Sequence, residues 1–272
     1  HRTWGPVRPH QGTKTLTSEG VDHEIEYHDG SEVILSFDPK KHYYTVDEKY
    51  APSVTTVLDS IAKPALIPWA ASEGAKFFKA NVKAFTVGDM STVDMEKGIR
   101  GAYRKRSGDA LVIGQQVHEW AEKAILWKLG RGDAPSLPDS TEAKSSIGAF
   151  REWVKTNDIE WVSAEEKVFH PERWFAGTVD AVARVNGEFS VIDFKTSAAI
   201  YTPYHLQCAA YAKCVQLIYG EEVEKAYILR FDKKTGDFEA QASSEIEENF
   251  RAFLGFLIGY RRLKDLENKG SK

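Results

Sequence analysis

The spacing of hydrophobic and polar positions changes along the chain, and this change predicts two kinds of structure. From residue 53 to about residue 156, apolar residues recur three and four positions apart, as in amphipathic helices. Helices are expected near 53–61, 66–82, 93–106, 110–129 and 142–156. Alternating runs then predict strands near 160–169, 176–185, 188–195, 224–231 and 237–242, and helical periods return near 203–219 and 245–267. The order predicts an α/β fold in which a central mixed β-sheet is flanked by helices, with the N-terminal helices arching over the sheet edge.

The first fifty residues have a pattern of their own. Residues 1–20 show no apolar period, so a loose arm is expected there. Short alternating runs from His23 to Val46, with an Asp29-Gly30 turn, predict a small β appendage. The expected organisation is an arm and appendage over 1–50 and one domain over 51–272, with a helical region at 51–158 and a core at 159–272.

A tight hairpin is predicted around Asn186-Gly187, because both residues tolerate the positive φ that a type I′ turn requires. If Val185 pairs with Glu188, all opposed positions sum to the same index, and Asp180 lies directly across from Asp193. A bulge would break this relation. Directly opposed side chains have Cβ atoms about 4.5–5.5 Å apart, so the sequence predicts two neighbouring carboxylates.

Two carboxylates about 4 Å apart repel by about 4 kcal/mol at an effective dielectric of about 20. A divalent cation reverses this repulsion, and Lys195, two positions beyond Asp193, has its ammonium on the same strand face. The pattern therefore favours a Mg²⁺ or Mn²⁺ site. The alternative is a solvated pair of opposite charges, which the apolar neighbours Val191, Ile192 and Phe194 disfavour.

Other polar residues fall where they can join this site. His118 and Glu122 are four apart on a predicted helix, so they share a face. They are either a mutually satisfied buried pair or, for His118, a ligand that completes the metal site. Glu166 alternates with Val168 and is a candidate to point at the same site, the alternative for it and for Glu165 being an exposed strand glutamate.

Gln207 and Tyr211 are also four apart on one helix face. They are placed to contact a phosphate or to steady Lys195, and the alternative is an ordinary pair on a helix surface.

Composition limits the kinds of surface, the cysteine sites and the cellular locations that are possible for this chain. The net charge is -4 with a pI of about 6.1, which excludes a globally basic surface but not a local basic groove. One basic cluster is either a solvated helix face or a phosphate-binding surface: Lys97, Arg100, Arg104, Lys105 and Arg106.

The two cysteines, Cys208 and Cys214, cannot build a disulfide framework, a zinc site or an iron–sulfur cluster. No apolar run suits a signal peptide or a membrane span, so a cytoplasmic location in a bacterial or phage-infected cell is expected unless a targeting segment precedes His1.

Five segments occur in an order that identifies a resemblance. They are Pro52-Ser53-Val54-Thr55-Thr56-Val57-Leu58, Gly114-x-x-x-His118-x-x-x-Glu122, Gly177-Thr178-Val179-Asp180, Asp193-Phe194-Lys195-Thr196 and Gln207-x-x-x-Tyr211. Together they resemble the RecB branch of the PD-(D/E)XK nuclease superfamily, especially the group of the mitochondrial genome maintenance exonuclease and its phage and bacterial relatives. The resemblance runs from about residue 52 to residue 230, and the role of residues 1–50 lies outside it.

The resemblance implies roles for individual residues. The metal ligands would be His118, Asp180, Asp193 and the carbonyl of Phe194, and Lys195 would position or activate the attacking water. Gln207 and Tyr211 would complete the last motif, and Glu166 would occupy an acidic position found in many members. The catalytic set expected from sequence and resemblance is therefore Lys195, Asp180, Asp193, Glu166, Gln207 and Tyr211.

The expected activity is hydrolysis of DNA by one or two Mg²⁺ or Mn²⁺ ions, with no iron–sulfur cluster. A channel under the helical arch would favour single-stranded DNA with free ends, hence exonuclease action. Trp69, Phe77, Phe78 and Tyr103 could stack on bases there, although most of them are expected to be core residues. The rivals are a structure-specific or restriction-like endonuclease, a non-catalytic DNA-binding module and a hydrolase of small phosphoesters.

Overall fold

The computed structural model of this 272-residue chain describes residues 14–16, 20–41, 43–61, 66–197, 199–232 and 238–270. Its N-terminal part is an antiparallel sheet whose strands follow chain order: β1 (Lys14–Leu16), β2 (Val21–Glu26), β3 (Glu32–Asp38), β4 (Tyr43–Val46) and β5 (Lys49–Ala51). The strands predicted between His23 and Val46 and the Asp29-Gly30 turn are confirmed, with Gly30 at φ 82° between β2 and β3. Most of the expected arm at residues 1–20 lies outside the described residues.

Four helices follow this sheet: α1 (Val54–Leu58), α2 (Leu66–Thr86), α3 (Thr92–Lys128) and α4 (Thr141–Thr156). The prediction of two helices near 93–106 and 110–129 is wrong, because α3 is continuous. Ser107-Gly108-Asp109 lies between the two predicted helices. Glycine within a helix costs only about 1 kcal/mol relative to alanine, and no proline interrupts this stretch.

The second sheet and its helices make up the C-terminal half. Its elements are β6 (Ile159–His170), β7 (Phe175–Val185), β8 (Glu188–Lys195), α5 (Thr202–Tyr219), β9 (Lys225–Phe231), β10 (Phe238–Ser243) and α6 (Ile246–Gly270). The strand order is β10-β9-β8-β7-β6, and β8 and β9 are parallel while the other neighbours are antiparallel. The predicted α/β class with a mixed sheet and flanking helices is confirmed.

The N-terminal sheet belongs to the same compact unit as the second sheet, a unit formed by His1–Ile61 and Val117–Lys272. The hydroxyl of Tyr27 donates to the carbonyl of Phe169 at 2.9 Å, and that of Tyr44 lies 2.7 Å from Thr178 Oγ1. Leu35 of β3 is fully buried in the same apolar core as β7 and α5. The sheet therefore contributes to the core around the strand that carries Asp180.

Residues Ala62–Gln116 form a second compact unit, made of α2 and the first part of α3. Phe77 lies where a side chain at Gly98 would be, and Trp69 meets Tyr103 edge-on with ring centroids 6.4 Å apart. Trp69, Phe77 and Tyr103 are half-buried and make contacts within the unit, whereas Phe78 is 41% exposed.

The basic cluster of this unit is only partly described. Arg100 forms an ion pair with Glu96 at 2.6 Å, and Arg104 lies over the ring of Tyr103. The side chains of Lys105 and Arg106 lie outside the described part of the chain. The local partners of Arg100 and Arg104 fit a solvated helix face.

Both cysteines lie in α5 as buried free thiols. Across the described residues, no helix is both long enough and apolar enough to cross a membrane.

Candidate active site

The β7–β8 hairpin forms as the sequence predicts. Asn186 and Gly187 have φ values of 53° and 87°, and five pairs from Val185↔Glu188 to Ala181↔Ile192 confirm the register. Asp180 and Asp193 occupy the next position, where the ladder ends. There the Asp180 carboxylate replaces a ladder carbonyl, because the backbone N–H of Phe194 donates to Asp180 Oδ2 at 2.7 Å.

His118 reaches this strand end from α3. Its Nδ1 lies 3.8 Å from Asp180 Oδ2, and its ring meets Phe194 edge-on with centroids 5.9 Å apart. The imidazole side chain is 33% exposed and the Asp180 side chain 14%, so both can reach a solvent-borne ion. The structure thus brings together two of the residues that the sequence singled out as metal ligands.

Glu165 is the third member of the cluster, and the sequence reasoning missed it. Around it β6 pairs Ala164 with Ala181 and Glu166 with Val179, so Glu165 stands opposite Asp180. One donor atom each from His118, Glu165 and Asp180 lie within 4.8 Å of one another. Three potential ligands therefore converge at one point.

Backbone irregularity explains why Glu165 was missed. The β6–β7 register shifts between Trp161 and Ser163, and Glu165 has φ 50°, which is uncommon for a residue other than glycine. An unbroken period of two, counted back from Val168, favoured Glu166. The only signal available in the sequence was the adjacent pair Glu165-Glu166.

Glu166 has other partners, and this corrects its expected placement at the carboxylate site. The hydroxyl of Tyr219 in α5 donates to its two carboxylate oxygens at 3.0 and 2.9 Å, and Ser163 Oγ donates to the same group. Burial raises the pKa of Glu166, while the hydrogen bonds from Ser163 and Tyr219 oppose the rise. Glu166 thus ties β6 to α5, and its predicted catalytic role is without support from its contacts.

Asp193 and Lys195 form a buried pair beside the cluster, with Lys195 Nζ 2.6 Å from Asp193 Oδ2. Asp193 is only 2% exposed, and neither of its oxygens receives a hydrogen bond of normal geometry from the described residues. Burial raises the pKa of Asp193 to about 6, helped by the charge of Asp180 and opposed by Lys195. For Lys195, burial alone would lower the pKa, but the charges of Asp193 and Asp180 raise it, so the ammonium keeps its proton.

The donor set fits a divalent cation. Burial and the negative charge of Asp180 raise the pKa of Glu165 to about 7, which indicates more negative charge than this site stabilises by itself. Two or three carboxylates with one imidazole suit Mn²⁺, and the carboxylates suit Mg²⁺.

Gln207 and Tyr211 lie on one buried face of α5, where Gln207 Nε2 donates to the hydroxyl of Tyr211 at 3.2 Å. The alternative of a helix surface pair is therefore wrong. Gly177 of β7 makes room for Tyr211, because a Cβ at this position would lie 2.5 Å from Tyr211 Cε1. The packing of Tyr211 therefore explains why a glycine stands at position 177, three residues before Asp180.

Two further candidates are only partly placed at the site. Phe194 contacts Asp180 through its N–H, so the proposed role of its carbonyl as a ligand stays a prediction. Glu122 borders a cavity of about 460 Å³ together with Glu165, Arg131 and Lys167, instead of pairing with His118 as the alternative reading required.

Comparison with protein-family models finds no match. Comparison with curated proteins finds none either.

Comparison with solved structures finds distant similarities. The structure of SSO0001 superposes with a TM-score of 0.30 and 16% identity over 43% of this chain, which spans 57% of the length of SSO0001. An alkaline exonuclease (LHK-Exo) from Laribacter hongkongensis superposes with a TM-score of 0.28 and 13% identity, covering 56% of this chain and 84% of that one. The complex of LHK-Exo with dAMP gives 0.24 and 16% with the same coverage.

Proposed function

We propose that this chain is a metal-dependent nuclease that hydrolyses phosphodiester bonds in DNA, preferring single strands with free ends. The observation that supports this most directly is the convergence of His118, Glu165 and Asp180 beside the buried Asp193–Lys195 pair. Ligands for a cation next to an ammonium are what hydrolysis of a phosphodiester requires, because both the phosphate and the attacking water need positive charge.

The proposed roles follow from position. His118, Glu165 and Asp180 would hold Mg²⁺ or Mn²⁺, with Asp193 and the Phe194 carbonyl as further ligands. The bound ion supplies a Lewis acid for the scissile phosphate and lowers the pKa of a bound water. Lys195 orients the attacking water and offsets its charge, and Asp193 fixes the position of the ammonium. The Gln207–Tyr211 pair stiffens the α5 face that packs against Gly177 of β7.

The direct test uses end-labelled DNA as single and double strands, in linear and circular form, with Mg²⁺, Mn²⁺ or a chelator. We expect cleavage of linear single strands that depends on the metal and stops with the chelator. Absence of cleavage with both metals on all four substrates would contradict the proposal and favour a non-catalytic DNA-binding module. Small chromogenic phosphoesters, included as a further substrate, address the remaining hydrolase alternative.

Asp193→Asn tests the site itself. It removes metal affinity and one negative charge, so cleavage should be abolished while DNA binding stays near that of the unchanged protein. The matched control is Asp133→Asn, which changes an exposed carboxylate in the loop before α4 and should leave cleavage unchanged. Full activity of Asp193→Asn in Mg²⁺ would refute the assignment.

The end requirement is tested by the circular substrates. An exonuclease leaves circular single strands intact, whereas a structure-specific or restriction-like endonuclease cuts them as fast as linear ones. Equal rates on both forms would favour the endonuclease alternative over the exonuclease proposal. The proposed roles of the site residues would stay the same.

A further inference from the structure

Aromatic and basic side chains gather on the surface where the N-terminal sheet meets the turn before β7 and the helix α6. We call this the tyrosine–tryptophan surface: Tyr43, Tyr50, Trp174, Tyr260, Lys41 and Lys49. Tyr43 and Tyr50 meet edge-on with centroids 6.0 Å apart, and the hydroxyl of Tyr50 lies 3.5 Å from that of Tyr260. Trp174 Nε1 donates to the carbonyl of Tyr50 at 3.1 Å, so three separate elements are joined here.

Two lysines lie over these rings. Lys41 Nζ is 5.5 Å from the centre of the Tyr43 ring, and Lys49 Nζ is 5.9 Å from the centre of the Trp174 ring. Lys49 is exposed, and Tyr50 keeps 47% of its surface accessible. Solvent-facing aromatic rings with nearby ammonium groups are the combination that binds single-stranded nucleic acid, through base stacking and phosphate attraction.

The backbone under this surface is strained. The described non-glycine residues with positive φ number five, and three of them border it: Asp47 at 48°, Glu48 at 62° and Trp174 at 53°. A bulky residue such as tryptophan rarely adopts this conformation. It is fixed here by the Trp174 N–H bond to the His170 carbonyl at 2.7 Å and by Arg261, whose Nη2 donates to the Trp174 carbonyl at 2.9 Å. Strain of this kind clusters at ligand-binding sites.

We propose that the tyrosine–tryptophan surface is a second contact for the single-stranded DNA substrate, at a distance from the cleavage site. The inference rests on the proposed function, because it takes DNA as the ligand. Trp174 directly precedes Phe175, the first residue of β7. Asp180 lies five residues beyond Phe175 along the same strand, which is a distance of about 17 Å at about 3.3 Å per residue. Only strands long enough to span this distance would use both contacts.

The first test measures binding without cleavage, by fluorescence anisotropy of labelled oligothymidylate in the presence of a chelator. Tyr50→Ala should weaken binding of a strand of about 16 nucleotides by about tenfold, the loss expected for one stacked base. A strand of about 2 nucleotides, which is too short to span about 17 Å, should show a smaller change between the same two proteins. Tyr50→Phe keeps the ring and should bind as the unchanged protein does, which separates stacking from the Tyr50–Tyr260 hydroxyl contact.

Trp127→Ala is the matched control. Trp127 is 45% exposed on α3, and Lys128 Nζ lies 4.8 Å from the centre of its ring, so it offers the same chemistry outside the tyrosine–tryptophan surface. Its removal should leave binding of the long strand unchanged. Equal losses in Tyr50→Ala and Trp127→Ala, with both variants folded by circular dichroism, would overturn the inference.

Charge gives an independent measurement that leaves the aromatic rings of this surface in place. Lys49→Gln should reduce the slope of log affinity against log salt by about 0.7, the value for one phosphate contact on a single strand, and Lys128→Gln should not change it. An unchanged slope for Lys49→Gln would contradict the inference.

The two proposals fail in different ways. If the protein binds and cleaves DNA but Tyr50→Ala and Lys49→Gln behave as the controls do, the second contact is refuted and the catalytic proposal stands. If the protein binds the strands through this surface but cleaves nothing with either metal, the catalytic proposal fails alone. No binding of any strand by the unchanged protein overturns the second contact as well.

Discussion

Glu165 and Glu166 are adjacent in the sequence, yet their carboxylates have different surroundings. Glu165 faces His118 and Asp180, whereas Glu166 accepts hydrogen bonds from Tyr219 and Ser163. The pair therefore offers a comparison in which size and charge are the same and only position differs. It separates the proposed metal ligand, Glu165, from Glu166, which joins β6 to α5.

We predict that Glu165→Gln weakens Mn²⁺ binding by about 10- to 100-fold or more, because an amide is a poorer and uncharged ligand. Glu166→Gln should bind Mn²⁺ close to the unchanged protein, since its amide oxygen still accepts from Tyr219. Isothermal titration calorimetry measures both. Equal affinities in the two variants would contradict the ligand role of Glu165.

His170 predicts a pH dependence of stability. It is 7% exposed and stacks on Phe250 with centroids 5.8 Å apart. Burial lowers its pKa to about 4 from an ordinary value of 6.5, with Arg173 and Lys213 acting in the same direction and Glu172 against it. Between these two pH values the unfolded chain binds more protons than the folded chain. The contribution of His170 to the free energy of unfolding is therefore fully present above about pH 6.5 and is lost as the pH drops towards about 4.

The variant His170→Phe removes this titration and keeps a ring for the stack on Phe250. From pH 7 to pH 4 its free energy of unfolding should fall by about 1–2 kcal/mol less than that of the unchanged protein, after allowance for partial solvent screening. Urea unfolding followed by circular dichroism at several pH values gives both curves. Parallel curves across the whole range would show that His170 is not the titrating group.

At the scale of elements, packing between β7 and α5 controls the back of the site. Gly177 leaves room for the buried ring of Tyr211, which is hydrogen-bonded to Gln207. Gly177→Ala should destabilise the protein by about 1–3 kcal/mol, because the ring cannot retreat without breaking its packing. Gly148→Ala, in an exposed helical position with open space around it, should stabilise by up to about 1 kcal/mol. Urea unfolding measures both, and a neutral Gly177→Ala would disprove the close approach.

The sequence predicted the elements whose signals are local. Asn186-Gly187 fixed the turn and thereby the register that brings Asp180 level with Asp193. Lys195 follows Asp193 by two positions, so its contact with that residue could also be predicted. These predictions needed only the period of a strand and the φ preference of a turn.

The sequence did not predict features that depend on backbone irregularity. Glu165 replaces Glu166 at the site because the register shifts at Trp161 and Ser163 and φ turns positive at Glu165 itself. The Asp47-Glu48 turn between β4 and β5 lacks the glycine that usually marks such turns. Tertiary contacts stabilise such conformations, and no local pattern encodes them.

At the scale of the whole molecule, the site depends on elements far apart in the chain. His118 comes from α3, Glu165 from β6, Asp180 from β7 and Lys195 from β8. The N-terminal sheet supports β7 through the Tyr44 contact with Thr178, two residues before Asp180. The N-terminal sheet is therefore part of the support for the candidate site.

Removal of residues 1–51 tests this dependence. Ile25, Leu35 and Val46 are buried in the common core, and burial of three such side chains contributes about 5–9 kcal/mol. This is comparable with the whole stability of a typical domain, about 5–15 kcal/mol, so the remaining chain should lose its cooperative unfolding transition and its metal-dependent cleavage together. Thermal unfolding by circular dichroism and cleavage of linear single-stranded DNA measure the two.

The double variant Tyr27→Phe/Tyr44→Phe, which removes only the hydroxyl contacts to Phe169 and Thr178, should cost about 2 kcal/mol and keep a cooperative transition. A truncated chain that unfolds cooperatively at the temperature of the full chain would show that the sheet is a separate appendage.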